Sequence, residues 1–270
     1  MVVQLAVATP WSFYWGASSV EALAARAAER GVRALGLCDA GGLWGAVPFQ
    51  KACLAVGVRP IFGVRLCVEG VSVHLIALDA AGWAVLCRLV TRAQCGGRPT
   101  DSPGLGHSRV LLDWVAAESG AGTFAVLSHD AIWLSELARL VGKDDLFATT
   151  AEAAFQAGLP FVAAPQVVMA DPGLHARHRL LVAMGRNMRV GHLSEADVAP
   201  ASAWLKGGDA LKAMFQDAPE ALRCAERLAE RSNFVIPLGL KHLPRFPGLP
   251  KGRTADAHLA RLCARGWKRR

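Results

Sequence analysis

Apolar residues along this chain follow two alternating rhythms: short unbroken runs rich in Val, Leu and Ile, and longer stretches in which they recur every three or four positions. The first rhythm predicts strands at 2–8, 33–38, 60–68, 71–78, 124–128 and 161–164. The second predicts the helices between them. Ser18 and Ser19 can cap a helix running to Arg30, with Val20, Leu23, Ala24 and Ala27 on one apolar face and Gly31 as its stop. Further helices are expected at 43–56, 82–94, 110–118 and 131–141. Strands separated by helices and short connectors imply parallel strands under crossover helices, an α/β architecture.

From about residue 173 the strand rhythm stops and helices follow one another, chiefly at 174–184, 209–215 and 220–231. The Gly/Pro-rich stretches 96–107 and 243–252 are expected to be a mobile loop and a linker. The change of rhythm puts a domain edge near residue 200, dividing a barrel-like domain at 1–200 from a helical extension and basic linker at 201–270. No internal repeat stands out.

Charge sharpens that division. The formal net charge is +8, yet residues 1–172 hold 12 Lys and Arg against 14 Asp and Glu, whereas 173–270 hold 18 against 8. All the excess basicity lies in the last third, which points to nucleic acid or an acidic partner, or else to a solvated basic face. Its densest part is Arg261, Arg265, Lys268, Arg269 and Arg270, on what is predicted as the last helix. The seven cysteines form no CxxC pair and are odd in number, as buried thiols of a reducing compartment would be. No apolar run reaches the length of about 18 residues that a membrane span requires. The start of the chain lacks the charges and cleavage site of a secretory signal. A cytoplasmic protein without membrane contact is expected.

Several segments carry a resemblance, in order: GASSVEALAARAAERGVRALGLCDAGGLWGAVPFQKA, RPIFGVRL, HLIALDAAGWAVLCRLVTRA, GLPFVAA, PEALRCAERLAERSNF and HLPRFP. They resemble the N-terminal region of bacterial DNA polymerase III alpha subunits and their error-prone paralogues, a branch of the polymerase and histidinol phosphatase (PHP) family. The resemblance spans nearly the whole chain and is thinnest at about 100–160, where part of the family's usual length is missing. It implies a distorted (β/α)7-type barrel with a C-terminal helical extension and a site at the strand C-terminal ends. There the family gathers divalent metal ions through His, Asp and Glu, so that a metal-bound water can attack a phosphoester at neutral pH.

Such ions need imidazole nitrogens and carboxylate oxygens converging at about 2.0–2.2 Å. At the matching positions this chain carries other side chains. The family's His-x-His at the end of the first strand is Ala6 and Ala8, and its Asp before the Gly-Ala-Ser turn is Trp15. The His of its Asp-His-Gly is Ala40, the Glu of its Gly-x-Glu is Arg65, and its late Asp-x-His is Gln166 and Val168. Only Asp39 and His74 keep the family's residue type, and Asp39 is better read as a carboxylate that supports the site or caps a turn. Two such residues cannot hold a cluster of ions, so no metal, cofactor or catalytic residue is expected. Arg65 would repel divalent cations. It can mimic their charge or bind a phosphate, and most simply it pairs with Asp39 in the emptied pocket. Trp11, Trp15 and Trp44 are expected to fill that pocket with apolar rings.

Other groupings carry less. His175 and His178 have the i, i+3 spacing of a metal helix, but Arg177 and Arg179 flank them and no carboxylate completes a site, so a basic surface helix is expected. Ser128, His129 and Asp130 are adjacent and point apart, unlike a triad. Asp144 and Asp145 read as a loop or cap, and Gly41, Gly42 and Gly45 match no phosphate-cradling pattern.

The resemblance therefore implies a non-catalytic PHP-like module of an alpha-type DNA polymerase, either a split piece or an N-terminal part, serving DNA replication or damage-tolerant synthesis. Its expected partner is the DNA polymerase catalytic core, with a proofreading exonuclease subunit and, through the basic last third, DNA as further candidates. The alternative is a residual metal-dependent phosphoesterase or 3'-5' exonuclease using Asp39, His74 and His129 around a single metal. A decoy occupying the docking site of a genuine polymerase ranks third.

Overall fold

The computed structural model describes residues 1–68, 70–95, 109–119, 122–240 and 246–269. The loop expected at 96–107 lies outside them, as do the first residues of the expected linker. Seven strands form one curled, half-barrel sheet: β1 (Val2–Val7), β2 (Val32–Ala40), β3 (Arg59–Val68), β4 (Val71–Ala77), β5 (Phe124–Ser128), β6 (Leu146–Ala148) and β7 (Gln166–Val167). Their order is β6-β5-β4-β3-β2-β1-β7. Between and after them run α1 (Val20–Glu29), α2 (Ala46–Ala55), α3 (Ala80–Cys95), α4 (Arg109–Glu118), α5 (Ala131–Val141), α6 (Ala151–Ala157) and α7 (His175–Gly185). The later helices are α8 (Gly208–Met214), α9 (Pro219–Arg231) and α10 (Ala255–Trp267). Ser19 caps α1 by accepting from the Ala22 N–H.

The strands are not all parallel, which corrects the expectation from rhythm. β1 pairs in parallel with β2 and β7, β2 with β3, and β5 with β6. β4 runs antiparallel to both β3 and β5. Only two residues separate β3 from β4, far fewer than a parallel crossover needs, so this pair can only be a hairpin. The strand expected at 161–164 is also absent: Phe161 makes a single bridge to Ala148. Its neighbours send their N–H groups to different elements, Val162 to Ala148 and Ala163 to Ala221. Pro160 and Pro165, which lack that donor, bracket the segment.

Side chains on the sheet alternate between two apolar layers. On one face Val3, Leu5, Ala34, Ile61, Ile76, Ala125 and Leu127 pack against Ala221, Cys224, Ala225 and Leu228 of α9. These α9 residues recur at helical spacing, so a single helix seals that face, and each fully buried leucine contributes about 1.5–3 kcal/mol. The opposite face packs against α1 and α2 beside β1–β3, and against α3 to α6 beside β4–β6. One compact unit runs from Met1 to Ile236, and a second from Pro237 to Arg270. Among the described residues no helix is long and apolar enough to cross a membrane.

Candidate functional site

Strand register places the positions singled out in the sequence in rows. Ala40 of β2 is the partner of Arg65 of β3, which is in turn the partner of His74 of β4. Ala6 of β1 is the partner of Gln166 of β7. Beyond β1 the chain forms a loop, residues 9–17, and that loop is built on Asp39. The Asp39 carboxylate is fully buried and accepts the Thr9 N–H at 2.7 Å, the Thr9 hydroxyl at 2.7 Å and the Ser12 hydroxyl at 2.6 Å. The Ser12 oxygen then accepts the Ala40 N–H at 3.0 Å, which ties the loop to the end of β2. Burial raises the Asp39 pKa above its ordinary value, and the hydrogen bonds from Ser12 and Thr9 oppose that rise. Asp39 thus takes its partners from the loop and not from Arg65, contrary to the simplest expectation from sequence. Thr9 and Ser12 were not singled out in the sequence, although small hydroxyl residues three apart after a strand are the usual means of closing such a turn.

Within the loop, Tyr14 has a positive φ of 58° and packs against Gly185, where a Cβ would lie 2.6 Å from the Tyr14 Cβ. Trp15 turns inward. It packs with Ala8, Val168, Met169, Ala199 and Ala203, so three of the positions where the resemblance implies ligands share one apolar cluster. The Arg65 guanidinium lies over the Trp15 ring, 5.7 Å from its centroid. The His178 ring meets that indole edge-on at 4.9 Å. The Trp15 Nε1 is buried without a hydrogen-bond partner.

His178 is fully buried, which corrects the expectation of a basic surface helix at this position. Its Nε2 accepts the Ala199 N–H at 2.9 Å, so the proton must sit on Nδ1, which donates to the Trp15 carbonyl at 2.8 Å. Acceptance at Nε2 requires a neutral ring. Burial is the main cause that lowers the His178 pKa. His74 is half-buried and stays neutral as well, its pKa pushed down to about 3 by burial, Arg65 and His129 in that order.

Trp11 and Trp44 do not fill the site. Both are exposed, and with Phe13 they form a ladder on the surface, with Trp11–Phe13 and Phe13–Trp44 centroids each 6.4 Å apart. Of the three, Trp15 alone turns inward, and it is partly buried. Elsewhere Asp130 caps α5 by accepting the Trp133 N–H, His129 is exposed, and Asp145 pairs with Arg231. Arg261, Arg265, Lys268 and Arg269 are exposed on and just after α10, and Arg270 lies outside the described residues.

These side chains do not fit a metal cluster. Asp39 already accepts three hydrogen bonds from the loop, Ala6, Ala8 and Val168 offer only hydrocarbon, and Arg65 brings a fixed cation. Among the described residues no three His, Cys, Asp or Glu side chains converge as a metal site.

Comparison with known proteins places the chain. The PHP domain model matches residues 4–157. An error-prone DNA polymerase of Anaeromyxobacter dehalogenans is 32% identical over 83% of this chain and 22% of its own length. One of Symbiobacterium thermophilum is 29% identical over 99% of this chain and 28% of its length. The DNA polymerase III subunit alpha of Bacillus subtilis is 25% identical over 99% of this chain and 26% of its length. The chain therefore spans about a quarter of the length of these relatives. With the family model covering more than half of it, the chain belongs to the PHP domain family.

Proposed function

We propose that this chain is a non-catalytic PHP module that acts as a scaffold for the catalytic core of an alpha-type DNA polymerase, in cytoplasmic DNA replication or damage-tolerant synthesis. The observation that carries this reading is the commitment of Asp39 to Thr9 and Ser12, which leaves the one acidic survivor of the family's pattern holding a loop. The likeness to error-prone polymerases and alpha subunits supports a polymerase core as the partner. A proofreading exonuclease subunit is the second partner of this reading.

Co-expression with a palm-bearing polymerase core from the same bacterium tests it. The expected result is a complex that survives gel filtration. A chain that binds neither that core, nor an exonuclease subunit, nor DNA at low salt overturns the scaffold role. Nuclease or phosphatase activity with Mn or Zn that is lost in His74→Ala would establish the residual hydrolase instead.

A further inference from the structure

His175 and His178 stand at the spacing of a metal helix, and they hold a backbone instead. His175 Nε2 donates to the Ala199 carbonyl at 3.1 Å, and His178 Nε2 accepts the Ala199 N–H at 2.9 Å. The two rings are stacked with centroids 6.2 Å apart, so one face of α7 grips both polar groups of a single residue. The two grips differ in kind. A donating imidazole keeps its bond whether neutral or charged, whereas an accepting one loses it on protonation. With Nδ1–H already given to the Trp15 carbonyl, a proton added at Nε2 would point at the Ala199 N–H.

Ala199 ends a loop that begins where α7 stops. The chain leaves the helix through Asn187, in the left-handed region with φ 51°, and an ion pair between Arg186 and Asp197 joins the two ends of the loop. Asp197 also accepts the Ser194 N–H and hydroxyl, and the Val190 carbonyl accepts from Arg179 of α7. A surface loop with joined ends is an Ω-loop, a compact unit of its own. Its apolar hold on the rest of the protein is small: Leu193 and Val198 pack against Val182, Ala183 and Trp15. Val182 and Trp15 also line a cavity of about 460 Å³ that has the rings of Phe13 and Tyr14 at its rim, so the loop backs the wall of that cavity.

We propose that residues 186–198 form a lid on this cavity and that the two imidazoles holding Ala199 are its latch, which opens when His178 takes up a proton. Three elements pack against His178. Its own helix carries His175, Arg177 and Arg179, and the loop at 9–17 brings Tyr14 and the Trp15 indole with the Arg65 guanidinium over it. The lid brings the Arg186–Asp197 pair, with Arg189, His192 and Glu195 exposed. Asp197 is committed to Arg186 and Ser194, so it does not favour a charged His178 ring. Burial holds that ring below its ordinary value of 6.5, so the opened loop takes up the proton first. The latch is therefore fully effective above about pH 6.5 and is lost as the pH falls. Opening bares Trp15 and Val182. The proposal goes beyond the scaffold reading and does not depend on it.

Amide hydrogen exchange of the full chain, read by mass spectrometry at pH 7.5 and pH 5 and corrected for the intrinsic effect of pH on exchange, tests the proposal. Amides of residues 188–199 should open up to about thirtyfold more often at pH 5, the effect of taking one imidazole about 1.5 units below its ordinary value. Those of β2 and β3 should keep their protection. His178→Gln offers an N–H to the Trp15 carbonyl and an oxygen to the Ala199 N–H, and it cannot be protonated, so its lid should stay closed at both pH values. His175→Gln still has a donor for the Ala199 carbonyl and should keep the pH response. Equal protection of the lid at pH 5 and pH 7.5 in the parent overturns the proposal. So does a loss at pH 5 that spreads to β2 and β3, which would be unfolding of the whole barrel. A pH response that persists unchanged in His178→Gln, or that vanishes in a folded His175→Gln, would move the trigger to another group and overturn it too.

Discussion

His178 and Trp15 are joined twice: the imidazole Nδ1–H donates to the Trp15 carbonyl at 2.8 Å, and the two rings meet edge-on at 4.9 Å. One side chain therefore fixes both the backbone and the indole of Trp15, the residue that packs against Ala8 and Val168. The consequences can be measured.

Stability should fall in mild acid. His178 and His74 both have folded pKa values below the ordinary 6.5, with His74 at about 3, so the unfolded chain takes up protons first as the pH drops. Their contribution is complete above about pH 6.5 and is lost as the pH falls towards the folded values. Asp39 acts in the opposite sense, since its raised pKa favours the fold below its ordinary 3.8 and the benefit is lost as the pH rises. The melting temperature should therefore be lower at pH 5 than at pH 7.5, and the His74→Ala, His178→Gln double variant should flatten that dependence. A flat wild-type profile would contradict the neutral tautomer.

Trp15→Ala should cost about 3 kcal/mol, at the low end of large-to-small core changes because the indole is only partly buried. Trp15→Phe should cost much less, since it keeps a ring against His178 and removes the orphaned Nε1–H. Urea denaturation of both variants measures the difference, and equal losses would show that the indole is not packed as described.

Asp39→Ala should destabilise by about 3 kcal/mol or more, because it strands the Thr9 N–H and two hydroxyls in the interior. Asp39→Asn retains an acceptor for the Thr9 N–H, and the Thr9 hydroxyl can turn to accept from the new amide, so its loss should be about 1 kcal/mol. Proteolysis should cut the Ala variant first within residues 9–17. Cleavage elsewhere would separate Asp39 from the order of the loop.

Rebuilding the family's ligands one at a time should not recruit metal. Ala6→His and Ala8→His put an imidazole where the methyl group is 3% and 5% exposed, an overpacking that costs about 1–3 kcal/mol. Arg65→Glu removes the fixed cation but leaves Asp39 committed to the loop. Metal content of each purified variant, read by mass spectrometry after exposure to Zn or Mn, should equal that of the parent. Stoichiometric uptake by Arg65→Glu alone would mean that repulsion, and not missing ligands, keeps metal out.

Much of this was legible in the sequence. The apolar runs within 32–40 and 59–68 mark central strands, and the spacing of Ala221, Cys224, Ala225 and Leu228 marks the sealing face of α9. The three residues of β6 and the two of β7 are too short for any rhythm, and α6 carries Phe155 90% exposed, so it lacks the apolar stripe that reveals a helix. That Asp39 supports a turn could be read by matching motifs, whereas the identity of its partners could not. Its partners Thr9 and Ser12 lie about 30 residues away, and only the pairing of β1 with β2 brings them together. Likewise, nothing in the pattern distinguishes the inward Trp15 from the outward Trp11 and Trp44, because that depends on which way the loop turns at Tyr14.

The anchoring of residues 9–17 makes metal and loop rivals for the same oxygens. A cation drawn to Asp39 must compete with the Thr9 and Ser12 donors, so occupancy of the carboxylate and order of the loop work against each other. Ions that would complete the site in a protein with the family's full ligand set would act on this one as a local denaturant of its aromatic rim.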